Sequence, residues 1–327
     1  MKKSSWTAIA IWGALLTVGT IGVEGAMYHH EVVTMQPAVR TVQKSINTLN
    51  PSHAISAPGV QNASFMGVSN DGNFLAYVTS AREIKVISVP AKTTQTIVFP
   101  HPIVYVKWIE NRSVFVVTSS GGTLTLYRYD LASGQKRVIQ QFSGQKVQSI
   151  GFSPYTNDTY VIVRNGTNNA AYRFDMNGDF YSVYFNGITP LHVTVGDTNI
   201  RVYVESTAHT IVTKGEVTGS TTVVARNATL LAQMNNSIFL GSLSKGSITE
   251  IEKYANGAMQ KVVQFNSAQE PSDIFVDGKG HVFSIDGNYV TNQSTGQKWL
   301  IPKGNQAKCV QGGVVLVEKN AFKIVAF

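Results

Sequence analysis

A tight hairpin built around glycine recurs along this chain at nearly even spacing. The segments LYRYDLASGQKRVI, AYRFDMNGDFYSVY, IVTKGEVTGSTTVV, IEKYANGAMQKVV and NYVTNQSTGQKWLI each read as an apolar strand, a turn and a second strand. Their turn glycines, Gly134, Gly178, Gly219, Gly257 and Gly296, stand 44, 41, 38 and 39 residues apart. An earlier copy, IKVISVPAKTTQTIV, puts its turn near Thr93, 41 residues before Gly134. Glycine suits such turns because a two-residue hairpin drives φ positive. Between the hairpins the pattern keeps period two, in short runs such as Phe74–Thr79, Val114–Thr118, Thr123–Tyr129, Tyr160–Val163 and Arg201–Val204. No helical stretch of useful length follows residue 52.

A period near 40 with four strands per unit is the mark of β-propeller blades. Each blade is apolar on both faces and buries them only against its neighbours, so the array must close into a ring. The blades fall at about 61–100, 101–143, 144–186, 187–226, 227–267 and 268–306. The tail, 307–327, supplies two or three further strands. A seventh blade then needs an outer strand from elsewhere, and His53–Val60 is placed to provide it, removing a free sheet edge. Seven blades are expected; six with a partial cap is the alternative. The fold class is all-β, with the propeller over 53–327.

The N-terminus sets the compartment. Lys2 and Lys3 precede an uncharged apolar run from Trp6 to Val23, carried by Trp6, Ile9, Ile11, Trp12, Leu15, Leu16, Val18, Ile21 and Val23. Eighteen residues of helix span about 27 Å, enough for a hydrocarbon core. Residues 1–26 therefore read as an uncleaved signal anchor; the alternative is a cleaved signal peptide and a secreted protein. The far flank has no Lys or Arg until Arg40, which places the N-terminus inside and the propeller outside. Residues 27–52 form a stalk. Val32, Met35, Val39, Val42, Ile46 and Leu49 repeat at intervals of 3 and 4, a heptad seam; Pro37 suits the first residue of a helix running to about Asn50, and Pro51 stops it. The seam is short, so it either packs on its own domain or pairs two copies in a homodimer.

The charged fraction is 14%, against about 25% in ordinary soluble domains, and the difference is made up by small polar residues, as in many exported β-rich proteins. The net charge of +8 comes from scattered residues. No element clusters Lys and Arg as a nucleic-acid binder does, and no nucleic-acid partner is expected. The single cysteine, Cys309, excludes an intrachain disulfide and reads as a buried core thiol.

Several copies are similar to known propeller repeats. Asn73–Ile97 resembles the YVTN-type repeat of bacterial surface propellers, Pro271–Asp286 resembles an NHL-type repeat, and Val147–Pro154 with LYRYDLASGQ resembles WD-type strands. The WD dipeptide itself is absent. Together the resemblances cover most of 61–306 and imply an exported bacterial scaffold or binding role.

Catalytic motifs are absent: no G-x-S-x-G elbow, H-E-x-x-H, C-x-x-C or Walker loop occurs. Asn70–Asn73 and Asp277–Gly280 each carry one carboxylate, too few for a calcium loop, and read as turns. No catalytic residue, metal or cofactor is assigned. The expectation is a membrane-tethered module that binds a protein or envelope polysaccharide at a propeller rim. The alternative is a propeller hydrolase or lactonase with a channel metal, for which the candidates near blade starts are His101, His192, Asp273 and His281.

Overall fold

The computed structural model describes residues 54–175, 179–197, 201–215, 219–234 and 236–327. The anchor and stalk assigned to 1–26 and 27–52 lie outside these residues, as does Gly178. Among the described residues no helix is long and apolar enough to cross a membrane.

Among those residues the strands form seven four-stranded antiparallel sheets. Blades 1 to 6 are continuous segments of chain, over 65–98, 103–143, 146–183, 190–226, 228–269 and 274–300. Blade 7 is composite. Its first three strands are Gln306–Val310, Gly313–Glu318 and Ala321–Ala326, and its outer strand is Ile55–Ser56. Ile55 pairs with Phe322 and Ser56 with Ala321. The tail thus supplies three strands and the segment before blade 1 the fourth. The first strand of each blade contacts the first strands of both neighbours all the way round.

The core follows from the pleat. Alternate side chains of a strand point to opposite faces, and each face of a blade is covered by the next blade. In blade 2, Val114 and Val116 pack with Ile84 and Val86 of blade 1. The intervening Phe115 and Val117 pack with Ile150 and Val161 of blade 3. Buried on both sides, such a strand reads as an unbroken apolar run. Buried apolar side chains of the described residues gather into seven clusters, one at each blade interface.

The turns joining third to fourth strands hold Gly134, Gly219, Gly257 and Gly296, each with φ between 62° and 84°. In blade 1 the positive φ falls to Lys92, at 55°.

Side chains tie the ring where backbones cannot pair. Gln311, in the first turn of blade 7, reaches Trp108 of blade 2. Its Oε1 accepts from the Trp108 amide at 2.9 Å and its Nε2 donates to the Trp108 carbonyl at 2.7 Å. The Gln311 carbonyl accepts from the Val68 amide of blade 1 at 2.7 Å, and Trp108 Nε1 donates to the Gly67 carbonyl at 3.0 Å. Blades 7, 1 and 2 are thereby joined. Gly312 permits the approach: a Cβ there would sit 2.0 Å from the Val68 carbonyl oxygen. Removing both Gln311 bonds in Gln311→Ala is expected to lower unfolding free energy by about 1–3 kcal/mol, measured by urea titration. A loss below a few tenths would show that the clasp is not a stabilising contact.

Candidate functional site

Two places combine exposed chemistry with a fixed frame: the central channel and the rim of blade 3.

The channel is about 670 Å³ and is walled by the first strands. His192, at the start of blade 4, opens onto it. Its Nδ1 lies 3.0 Å from Oε2 of Glu205 in the adjacent strand. Glu205 is wholly buried, yet four groups meet it. His209 Nδ1 is 2.8 Å from Oε1, while Thr229 Oγ1 and the Leu230 amide of blade 5 each donate to Oε2 at 3.0 Å. Burial pushes this carboxyl up, but the bonds from His192, Leu230 and His209 and the His192 charge outweigh it, so its pKa lies below the ordinary value. With Glu205 ionised, both Nδ1 atoms carry the hydrogen that faces it. His209 takes a left-handed backbone, φ 53°, that turns its ring back onto Glu205.

Lys107 of blade 2 also faces the channel, and its Nζ donates to the Ile150 carbonyl of blade 3. Loss of hydration pulls its pKa from 10.5 to about 8. Burial likewise pushes neighbouring Tyr105 up to about 12, against the pull of a hydrogen bond with the Ile150 backbone.

Cys309 is not enclosed in the core. It is half-buried in the wall strand Gln306–Val310 and lines the channel, because the innermost strand of a blade has solvent on one side. Burial, then the charge of Asp273, push its thiol up to about 12, which leaves it unreactive at neutral pH.

The four candidates near blade starts are not brought together. His101 lies in the loop between blades 1 and 2. His281 bonds Asp277 at 2.9 Å in the first turn of blade 6, whereas His192 pairs with Glu205 at the end where second and third strands turn. Among the described residues no three His, Cys, Asp or Glu side chains are grouped to hold a metal. Asp71 and Asp277 serve their own turns: Asp71 Oδ1 accepts from Ser69 Oγ and the Asn73 amide, Asp277 Oδ1 from the Lys279 and His281 amides. Glu205 went unnoticed in sequence, although a carboxylate inside RVYVES was the available signal.

The rim of blade 3 is the second place. Of the five exposed aromatic side chains among the described residues, three are here, Tyr155 at 60% exposure, Phe180 at 39% and Tyr181 at 52%, and a fourth, Tyr184 at 77%, follows the far end of the same blade's outer strand Phe180–Val183. The fifth, Tyr289, is in blade 6. Tyr155 sits in the first turn of blade 3, and Phe180 and Tyr181 follow its third turn. Antiparallel strands bring both turns to one rim. Their frame is rigid. Phe180 stacks on Tyr172 at 5.1 Å between centroids, Arg173 opposite Tyr181 bonds Asp158 at 3.0 and 3.1 Å, and Lys214 Nζ donates to the Tyr184 carbonyl at 3.0 Å. A groove of about 280 Å³ runs between blades 3 and 4 past Tyr181 and Tyr184. Another of about 720 Å³ runs between blades 2 and 3 past Arg128, Arg137 and Val138.

The chain matches no protein-family model, and no curated protein matches it. Solved structures do. Streptogramin B lyase aligns with a TM-score of 0.58 at 11% identity, over 83% of this chain and 97% of that one. Virginiamycin B lyase from Staphylococcus aureus gives 0.58 at 11%, over 84% and 98%. A catalytically inactive variant of that lyase with quinupristin gives 0.57 at 12%, over 83% and 97%. At such identity the likeness establishes the propeller fold alone.

Two predictions follow from the channel wall. Glu205 has a lowered folded pKa, so its stabilisation is complete above the ordinary carboxylate range and drains as pH falls through the folded value. Glu205→Ala should cost roughly 3–5 kcal/mol at neutral pH and flatten the acid limb of the melting profile; an unchanged limb would contradict this. Lys107 gives the same sign in a higher pH window, because burial disfavours its charged form. Between about 8 and 10.5 the unfolded chain holds a proton the folded chain has released, so stability rises with pH across that window. Lys107→Met should abolish the rise, read as Tm against pH.

Proposed function

We propose that this chain is a membrane-tethered, extracytoplasmic propeller that acts as a binding scaffold, engaging an envelope component through the rim of blade 3. The propeller supports the reading by being a rigid closed ring that presents turns on its rims. The apolar run 6–23 is the tether in this reading. The YVTN- and NHL-like segments point the same way, to a bacterial surface protein.

The observation that carries the reading is the crowding of exposed aromatics onto one blade of seven. Exposed apolar patches rimmed by polar groups mark interaction surfaces, and tyrosine is the residue that interfaces enrich. A second reading, a channel hydrolase, has His192 in its favour, since an imidazole oriented by a buried carboxylate can serve as a general base; that role needs a substrate seated in the channel.

Photo-crosslinking separates the surfaces. A benzophenone amino acid placed at position 155 or 184 should give adducts in intact cells, and the same group at position 289 should not. Equal labelling at 184 and 289 would remove blade 3 from the proposal. Membrane fractionation of full-length protein, with loss of pelleting when 1–26 are deleted, checks the tether.

A further inference from the structure

We infer that the blade 3 rim is a lectin-like site for an uncharged, hydroxyl-rich polysaccharide, seated with sugar rings on Tyr181 and Tyr184 in the groove between blades 3 and 4. The inference rests on the reading of blade 3 as the binding rim and specifies its ligand.

Three features select sugar over other occupants. The first is shape. At about 280 Å³ the groove is close to the lower end of small-ligand pockets, about 300–1,000 Å³, and is concave rather than a broad flat patch. A chain of rings can lie across it one or two units at a time.

The second is how the tyrosines are held. Tyr184 is fixed through its backbone, by Lys214 on its carbonyl, while its ring stays 77% exposed. Lys214 is itself placed over the Phe185 ring at 5.8 Å. Tyr181 stands opposite Arg173, whose guanidinium is engaged by Asp158. Both rings are therefore open to solvent beside backbone and neighbours that are hydrogen-bonded in place. The axial C–H bonds of a pyranose give it an apolar face that packs on such a ring, and the phenol hydroxyl is left at the rim.

The third is charge. Asp179 lies close enough to Tyr181 to push its phenol up, Asp158 offsets Arg173, and Lys214 is the remaining cation of the groove. The lining thus holds two cations, each already engaged, Arg173 by Asp158 and Lys214 by the Tyr184 carbonyl. With Ser182, Asn186 and the Tyr181 phenol beside them it offers both donors and acceptors, which suits vicinal hydroxyls that donate and accept at once.

The test uses full-length protein in detergent and affinity electrophoresis through gels cast with neutral glucans, mannans or N-acetylglucosamine polymers. At least one polymer should retard the protein. Tyr181→Ala and Tyr184→Ala should each weaken retardation roughly tenfold, with circular dichroism and Tm unchanged, while Tyr289→Ala should behave as the parent. Retardation should persist between low and high salt, since an uncharged ligand is not screened. Binding only to anionic polymers, with steep salt sensitivity, would overturn the inference. So would retardation that survives both tyrosine substitutions. If no polymer binds while crosslinks at 184 go to a protein, the sugar assignment falls and the blade 3 rim stands. If crosslinks at 184 are also absent, both fall.

Discussion

Every blade of this propeller has two apolar faces, and the ring exists because only a closed circle covers all of them. Closure is made by two residues of strand, Ile55 and Ser56, on the edge of Ala321–Ala326. The pairing itself is small. Its effect is large because the ring's last edge would otherwise expose unpaired backbone beside Val315, Val317 and Phe322. The Gln311 clasp, which bridges blades 7, 1 and 2, reinforces the same junction from the channel side. Since each core cluster is shared by two blades, losing this junction exposes blade 1 and blade 7 together, and unfolding is expected to run as one event rather than blade by blade.

Two ionisable groups sit in the inner wall and are treated oppositely. Glu205 has four donors and remains charged below its ordinary pKa. Lys107 has a single carbonyl and is drawn toward neutrality. The difference is one of supply. Blade 4 brings two imidazoles and blade 5 a hydroxyl and an amide to the same carboxylate, whereas between blades 2 and 3 one acceptor faces the ammonium. Glu205 thus joins blades 4 and 5 as Gln311 joins blades 7 and 2, and Ser149 joins blades 3 and 4 by accepting from the Val193 amide at 3.1 Å. The first strands belong to separate sheets, joined by few backbone bonds such as that from the Val68 amide to the Gln311 carbonyl, and polar side chains supply the other ties.

This distinction explains what could be read from sequence. The glycine period marked six blade segments because it reflects a local requirement, a positive φ every 40 residues or so, and left seven blades against six with a cap to be decided by the tail. The outer strand of blade 7 followed by counting, since a tail of three strands leaves an edge. The ties were not legible. Gln311 and Trp108 are 203 residues apart, and nothing local in VQGG distinguishes a glutamine that copies a backbone from one in solvent. Glu205 and Lys107 left a weak mark, a charge within an apolar strand, but their partners come from neighbouring strands and blades. Cys309, read as a core thiol, does pack against the cluster between blades 6 and 7, but from the innermost strand, with the channel on its other side.

The repeat also supplies an internal comparison for the blade 3 rim. The two residues that open the fourth strand, just after the third turn, are Thr93 and Thr94 in blade 1, Lys136 and Arg137 in blade 2, and Thr221 and Thr222 in blade 4. In blade 3 they are Phe180 and Tyr181. All four pairs occupy the same place on the outermost strand, where a second blade covers least, so packing asks the same of each. Those three blades answer with polar side chains that water can hydrate, while blade 5 opens with Ala258 and Met259, blade 6 with Lys298 and Trp299, and blade 7 with Ile55 and Ser56. Blade 3 alone opens this strand with two aromatic residues in succession: Phe180 stacks on Tyr172 of its own blade, and Tyr181 stays 52% exposed. Packing within the blade accounts for the first ring and leaves the second to contacts outside the scaffold.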